Sequence, residues 1–449
     1  MNRLLIYVLL FLIAAVSAHT ETLVLTREKT VAIALGQNES FRSALLEKDR
    51  IRGQYLEARA GALPRLTFDG SYLRNINPST NVITMTDSAN NSTQFRLAFG
   101  TPHTYSFGLT LTQPLYVGGK VGTAIKIARH GFAYTDAGID AARHDVAIAA
   151  DRAYLDAIAA VQAEAAYREA ENLADSNLVV VQKLYNHGQV SEYDFLRAQV
   201  QAANTRPNRI AAANQTRLAM DALKNLLALP LETEVLCDTT IAPVTVPSLS
   251  LDTLVGEALR NRPELRQAHQ MTEIRKDLIT IAKGGYKPTI AAFTNVAWQS
   301  LVEKFKQTSI QNDAWQRSWS AGLTLSWPIF SGFEVVGKIR QANVDYSQSQ
   351  LAESQHTRQV RLEVQDALGK VQESAQRVEA LGETVTQAQR GVDIARVRFK
   401  SGVGTQLELL DAQVALTTAR VNKISALHDL ALAVASLRRA VGREWAAQW

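Results

Sequence analysis

Several things are scarce in this sequence of 449 residues, and each scarcity excludes something. There is one cysteine, Cys237, so no disulfide closes within the chain and no Cys/His zinc cluster is available. Proline is rare and is missing altogether from 121–186 and 334–400, so nothing there removes a helical donor. The formal net charge of +5 is spread thinly, with no basic block, which argues for a solvated surface and against nucleic acid as a partner. No apolar run reaches the roughly 20 residues that a membrane-spanning helix needs. Catalytic signatures are missing as well: G-x-S-x-G, H-E-x-x-H, a Walker-type phosphate loop, and G-x-G-x-x-G after a strand. Gly118-Gly119-Lys120 lacks phosphate-loop spacing and reads as a swivel between strand and helix. The eight histidines are scattered, and His187 sits in a polar turn. The sequence therefore predicts no enzyme, no cofactor and no metal site.

What is present begins with an export signal. Asn2-Arg3, the apolar stretch Leu4–Val16 and Val16-Ser17-Ala18 form a signal peptide over 1–18, with a mature chain expected from about His19. No cysteine follows the apolar stretch, so lipidation at this end is excluded.

The chain is also a duplication. Lys183–Val200 contains Gly188, Leu196 and Ala198-Gln199-Val200, and Arg398–Val414 contains Gly402, Leu410 and Ala412-Gln413-Val414, at a constant offset of 214. Pro64 and Pro288, like Ala34-Leu35 and Ala258-Leu259, match at an offset of 224. The first repeat is expected over 19–230, a joint over 231–250 and the second repeat over 251–449.

Each repeat has the same plan. A helix (26–61 in the first copy) ends before Pro64, and its counterpart ends before Pro288. Strands follow at 66–74 and 104–113, and at 289–299 and 318–327, with Asn75–His103 between the first two expected as a solvated loop. Tyr105, Phe107, Leu109 and Leu111 alternate with small polar residues, as do Trp319, Ala321, Leu323, Leu325 and Trp327; period two with unlike faces predicts a sheet between two environments. Pro114 and Pro328 are expected to close these strands. Long helices at 121–186 and 334–400 come next, with 13 Ala among the 30 residues of Ala141–Ala170. A helix of that length spans roughly 100 Å at about 1.5 Å per residue, which no globular domain holds; an extended coiled-coil object is implied. Tip bends at 187–191 and 401–405 lead to return helices ending near 229 and 441, the first kinked at Pro207.

Strands of about ten residues match a membrane-crossing β-strand, and Trp319 and Trp327 would bracket one strand as interfacial aromatics do. Four strands cannot close a barrel, and an open sheet edge is not tolerated in lipid. The remaining strands must come from other copies, so the chain is expected to form a homo-oligomer sharing one barrel and one helical conduit. The competing reading is a soluble periplasmic coiled-coil scaffold or adaptor, which fractionation without detergent would reveal.

The two bends, Y-N-H-G-Q-V-S-E-Y-D-F-L-R-A-Q and F-K-S-G-V-G-T-Q-L-E-L-L-D-A-Q, together with P-L-Y-V-G and P-I-F-S-G after the second strand of each copy, resemble the outer-membrane efflux protein (TolC-type) family over nearly all of the mature chain. The resemblance implies a mainly α fold with membrane β: a homotrimer whose long α-helical coiled-coil barrel is continued by a shared 12-stranded β-barrel, four strands per chain. It implies an outer-membrane location reaching into the periplasm, lipid contact, and docking of a periplasmic adaptor and an inner-membrane transporter of a tripartite efflux or type I secretion system. It assigns Glu408 and Asp411 to acidic rings at the channel mouth, where carboxylates would favour cations. It assigns Asp194 to a gate ion pair whose Arg is replaced here by Gly404, and Phe399 to a gate position often held by Tyr. Gly188, Gly402 and Gly404 mark tip bends for adaptor contact, and Pro64, Pro114, Pro288 and Pro328 mark barrel–helix junctions.

Overall fold

The computed structural model describes residues 23–77, 79–86, 92–99, 101–238, 240–241, 250–305 and 315–445. The expected signal peptide and residues 242–249 of the joint lie outside the described residues. In chain order the elements are β1 (Leu23–Leu25), α1 (Arg27–Gln37), α2 (Glu39–Ala60), β2 (Arg65–Arg74), β3 (Ser79–Thr86), β4 (Ser92–Phe99), β5 (His103–Val117), α3 (Lys120–Asn186), α4 (Glu192–Leu226) and β6 (Val235–Cys237). The second half holds α5 (Leu251–Asn261), α6 (Pro263–Lys283), β7 (Thr289–Val302), β8 (Trp315–Ser326), α7 (Glu334–Lys400) and α8 (Gln406–Val441). The chain forms two units: Met1–Lys48, Thr135–Ala268 and Ala352–Trp449 make one, and Asp49–Tyr134 with His269–Leu351 make the other.

The first unit has one apolar core per repeat, built at matching positions. The first core includes Ala34, Val146, Ala150, Ala157, Leu223 and Leu227; the second includes Ala258, Val360, Val364, Val371, Leu437 and Val441. Each pair is related by the offset of 224 or 214, so the duplication is written into the packing. Both Leu223 and Leu437 are fully buried. β1 pairs in parallel with β6, which gives the expected joint at 231–250 a short strand.

The helix expected over 26–61 is two helices. Asn38 separates α1 from α2: its N–H donates to the Ala34 carbonyl at 2.9 Å, while its side-chain oxygen accepts from the Ser40 N–H at 3.0 Å. An Asx side chain satisfies the free donors of a helix start better than an uninterrupted helix would use it. The second repeat breaks at the matching residue, Arg262, where Pro263 opens α6 as a first-turn proline. At the far end α4 stops at Leu226, three residues before the expected 229, because Ala228 adopts φ 54°. The Leu229 N–H then donates to the Lys224 carbonyl at 2.9 Å, a Schellman closure. Its counterpart is Gly442, at φ 74° after α8, with Arg443 donating to the Arg438 carbonyl at 3.0 Å. α4 runs through Pro207 as one helix.

The second unit is organised by a four-stranded antiparallel sheet in the order β2-β5-β7-β8. Two hairpins, one per repeat, meet at β5–β7. Their internal registers are the same: Leu66 faces Leu111 and Tyr72 faces Tyr105 in the first, while Ile290 faces Leu325 and Val296 faces Trp319 in the second. β5, at 15 residues, and β7, at 14, are longer than expected. Pro114 does not close β5. It lies inside the strand at a register shift between Pro114 and Tyr116, where a bulge accommodates the missing donor. Pro64 and Pro288 directly precede β2 and β7, and Pro328 follows β8. The stretch expected as a solvated loop contains an antiparallel hairpin, β3 with β4. Its Ser- and Thr-rich composition is compatible with strand as well as loop, and local chemistry alone did not separate the two.

Candidate functional site: the sheet faces and the tip bends

Alternation along each strand sorts the sheet into two faces. Leu66, Phe68 and Tyr72 on β2, Phe107, Leu109 and Leu111 on β5, and Trp319, Leu323 and Leu325 on β8 share one face, and all are exposed. Trp319 is 74% exposed and Leu323 72%, values that a water-soluble sheet would not leave on a contiguous apolar face. The other face carries Asp69, Ser71, Ser106, Thr110, Asn295, Ser318, Ser320 and Thr324. There the Asn295 side-chain amide donates to Thr110 Oγ1 at 2.6 Å, and the Ser71 and Ser106 hydroxyls lie 2.7 Å apart. One face therefore suits hydrocarbon and the other suits water, as in a transmembrane barrel wall.

The aromatic residues sit differently from the expectation that Trp319 and Trp327 bracket one strand. β8 begins at Trp315, so Trp319 is inside it, and Trp327 lies one residue beyond its end. The aromatic cluster at the loop end of the sheet is instead Tyr72, His103, Tyr105 and Phe305, with the Tyr72 hydroxyl 2.8 Å from His103 Nδ1. At the opposite end the Trp327 indole N–H donates to the Tyr286 carbonyl at 3.1 Å. Rings with an apolar body and a satisfied polar tip are the residue type that membrane interfaces select.

The two tip bends are Schellman motifs of the same geometry. Gly188 at φ 70° and Gly402 at φ 72° occupy the left-handed position. Gln189 donates to the Leu184 carbonyl at 2.9 Å, and Val403 donates to the Arg398 carbonyl at 3.0 Å. Each return helix then opens on an N-cap. The Ser191 hydroxyl accepts from the Asp194 N–H at 3.1 Å, and the Asp194 carboxylate accepts from the Ser191 hydroxyl at 2.6 Å. The Thr405 hydroxyl accepts from the Glu408 N–H at 3.2 Å. Asp194 and Glu408 are the same position of the repeat, three residues past the cap, where a carboxylate also favours the helix dipole.

The structure places the remaining site residues plainly. Glu408 and Asp411 are exposed on one face of α8. Glu408 accepts from Arg398 Nε at 3.2 Å, a partner that the sequence reading missed although Arg398 stands one residue before Phe399 in the same motif. Phe399 is half-buried. A Cβ on Gly404 would lie 2.8 Å from Arg398 Cβ and 3.1 Å from the Arg398 carbonyl carbon, so the close return of the chain requires glycine here. At the first bend Tyr185 and Phe195 stack at 5.2 Å.

A buried polar network in the first unit was not read from the sequence. Asp151, fully buried, accepts from Arg27 Nε at 2.5 Å and from Arg27 Nη2 at 2.7 Å. The Tyr154 hydroxyl donates to Asp238 at 2.9 Å, and burial raises its pKa far above the ordinary value. Burial likewise pushes the Cys237 thiol up to about 11, which keeps it protonated and unreactive at neutral pH. In the second repeat His428 Nε2 lies 2.5 Å from Asp156, and this hydrogen bond raises the imidazole pKa. Asp429, on the other side of the ring at 3.4 Å from Nδ1, adds to the rise and is itself paired with Arg377 at 3.5 Å.

Comparisons with known proteins agree with this geometry. The family model described as Outer membrane efflux protein matches residues 31–229 and 254–443, one stretch per repeat. Outer membrane protein OprJ of Pseudomonas aeruginosa is 25% identical over 430 residues, covering 93% of this chain and 84% of OprJ. Alkaline protease secretion protein AprF of the same organism is 23% identical over 413 residues, covering 90% of this chain and 82% of AprF. Among solved structures, the Campylobacter jejuni CmeC outer membrane channel superposes with a TM-score of 0.75 at 16% identity, covering 94% of this chain and 87% of CmeC.

Proposed function

The chain belongs to the outer membrane efflux protein family and is an outer-membrane channel component of efflux and secretion systems, not an enzyme; from that premise we propose that three copies close one twelve-stranded barrel and that their long helices line the conduit. The observation that carries this reading is the four-stranded sheet, apolar on one exposed face and polar on the other, with β2 and β8 unpaired at its edges. In hydrocarbon each unpaired N–H or C=O along those edges costs several kcal/mol, so the edges must meet other strands. Four strands also fall short of the roughly eight that the smallest transmembrane barrels use.

The bends with Gly188, Gly402 and Gly404 are the surfaces offered to a periplasmic adaptor, with an inner-membrane transporter supplying the driving force. Glu408 and Asp411 recur three-fold at the mouth and bias the conduit toward cations, with Arg398 offsetting part of the Glu408 charge. Asp194 supports the first bend as a cap, and Phe399 together with the tight turn at Gly404 gives the second bend a packed closure in place of a gate ion pair. Purified protein in a planar bilayer tests the channel: voltage-independent absence of conductance overturns it. Glu408→Gln combined with Asp411→Asn is expected to lower the cation-to-anion permeability ratio, and an unchanged ratio removes these carboxylates from the mouth.

A further inference from the structure

On its helical side the four-stranded sheet ends in a crossing of two glycine-rich loops. Gly118 and Gly119, at φ 66° and 78°, lead from β5 into α3, and Gly284 and Gly285 lead from α6 toward β7. A Cβ on Gly118 would lie 2.7 Å from the Gly284 carbonyl oxygen, so the two backbones touch and only glycine fits. Each loop carries a lysine across the other. The Lys120 stem runs over Gly284, its Cγ and Cε 2.9 and 3.2 Å from where a Cβ would stand. Lys287 lies over Gly118 and reaches Gly119 with its Nζ, 3.7 Å from the position of a Cβ there. The fold thus brings two ammonium groups to one place.

Neither ammonium has a counter-ion. Among the described residues, Lys120, Lys287 and the nearby Lys283 make no side-chain hydrogen bond or ion pair. Other lysines of this unit are paired: Lys126 on α3 with Asp277 at 2.9 Å, Lys276 on α6 with Glu273 at 3.2 Å, and Lys338 on α7 with Glu334 at 2.5 Å. Two like charges held against one backbone crossing repel unless an anion from outside the chain joins them.

The surroundings name that anion. The carbonyl of Tyr286, directly before Lys287, accepts the Trp327 indole N–H, and Trp327, 61% exposed, follows the apolar face of β8. Tyr116 pairs with Ile290 of β7 at the same end of the sheet and is exposed. Trp and Tyr at the end of a hydrocarbon-facing sheet mark the depth of lipid headgroups, where lysine stems snorkel toward phosphate. The crossing joins β5 and β7, the two central strands, so it lies away from the free edges at which other copies would meet the sheet. We propose that Lys120 and Lys287 form a headgroup site for an anionic phospholipid of the leaflet from which the long helices emerge. The site rests on the reading above that the apolar face of the sheet is in hydrocarbon. Two ammonium groups favour a phosphodiester with net negative charge over a zwitterionic headgroup, whose own amine they repel.

Quenching of tryptophan fluorescence by brominated phospholipids tests the site in the full-length protein reconstituted into bilayers. Trp327→Phe defines the part of the quenching that reports this end of the sheet. In that part, brominated phosphatidylglycerol is expected to associate about five-fold more strongly than brominated phosphatidylethanolamine. Lys120→Gln with Lys287→Gln is expected to abolish the preference, whereas Lys120→Arg with Lys287→Arg keeps it, which separates a lost charge from a lost fold. Arg317→Gln, at an exposed cation near the opposite end of β8, is expected to leave the preference unchanged. Equal association of the two lipids with the parent overturns the site. So does a preference that survives the double glutamine variant or falls equally in Arg317→Gln. Loss of the preference in excess inorganic phosphate at constant ionic strength also overturns it and assigns the lysines to free phosphate. Absence of quenching by either lipid removes the sheet from hydrocarbon, and then the reading on which the site rests falls first.

Discussion

The two repeats hold the same core positions, some with the same side chain, as at Leu223 and Leu437, and others with different ones. On α3 the first core presents Ala150, Tyr154 and Ala157, a small-large-small series; on α7 the second presents Val364, Leu368 and Val371, all of middle size. All three positions differ between the repeats, so the matching layers are filled by different combinations of apolar side chains. The polar complement diverges further. Arg27 and Asp151 form a buried ion pair in the first repeat, and their counterparts are Leu251 and the exposed Gln365. His428 belongs to the second repeat, and its counterpart in the first is Asn214. After duplication, backbone and core positions persist, while charge is placed separately in each copy.

The largest expected effect breaks the comparison at Arg27. Arg27→Ala strands the Asp151 carboxylate in the core and is expected to cost about 3–5 kcal/mol in chemical denaturation, whereas Leu251→Ala loses only partly buried apolar surface and costs less. Equal losses at the two sites would show that Asp151 finds another partner. Next, Leu223→Ala and Leu437→Ala each open a cavity at a fully buried site and are expected to cost about 2–5 kcal/mol apiece. A loss at one site without the other would mean that only one core holds the unit together.

Smaller effects sharpen the comparison at the helix ends. Ser191→Ala and Thr405→Ala remove matching N-caps and are expected to cost about 1 kcal/mol each, read as shifts in the helical melt. Ala228→Gly relieves a left-handed alanine, a strain of about 1–2 kcal/mol offset in part by the added freedom of glycine in the unfolded chain, so a net gain of several tenths is expected. Gly442→Ala goes the other way, since its Cβ would meet the Arg262 amide nitrogen at 3.0 Å. Loss of stability in Ala228→Gly would show that the alanine methyl is needed for packing.

The pair of His428 in the second repeat with Asp156 in the first adds a pH dependence. A pKa raised in the folded state stabilises most below the unfolded value of about 6.5, and the contribution is lost as pH rises through the folded value. The groups facing the ring are Asp156 and Asp429, with Arg377 beyond Asp429. His428→Gln is therefore expected to lower the melting temperature at pH 5 and to match the parent at pH 9. An equal deficit at both values would assign His428 to packing alone.

Much of this was legible because it is local. Ser191-x-x-Asp194 and Thr405-x-x-Glu408 before apolar runs, with Gly188 and Gly402 just past the preceding helices, announce two matched bends. The alternation in β5 and β8 separates the two faces of the sheet. The misses have physical causes. Asn38 and Arg262-Pro263 were readable as helix breaks, but the apolar spacing runs through them unbroken. Pro114 survives inside β5 because a bulge absorbs its missing donor, and a bulge depends on the partner strand. Arg398 reaches Glu408 only because the turn at Gly404 is tight enough to bring them together.

The amino-acid sequence by itself determined the duplication, the long helices, the caps and the two-faced strands. These depend on residues within a few positions of one another, where periodicity and capping chemistry act directly. Only the tertiary structure decided the β5–β7 register, the approach of Gly118 to the Gly284 carbonyl, the burial of Asp151 against Arg27, and which tip carboxylate is paired. Those depend on groups distant in sequence, whose meeting is set by how whole elements pack.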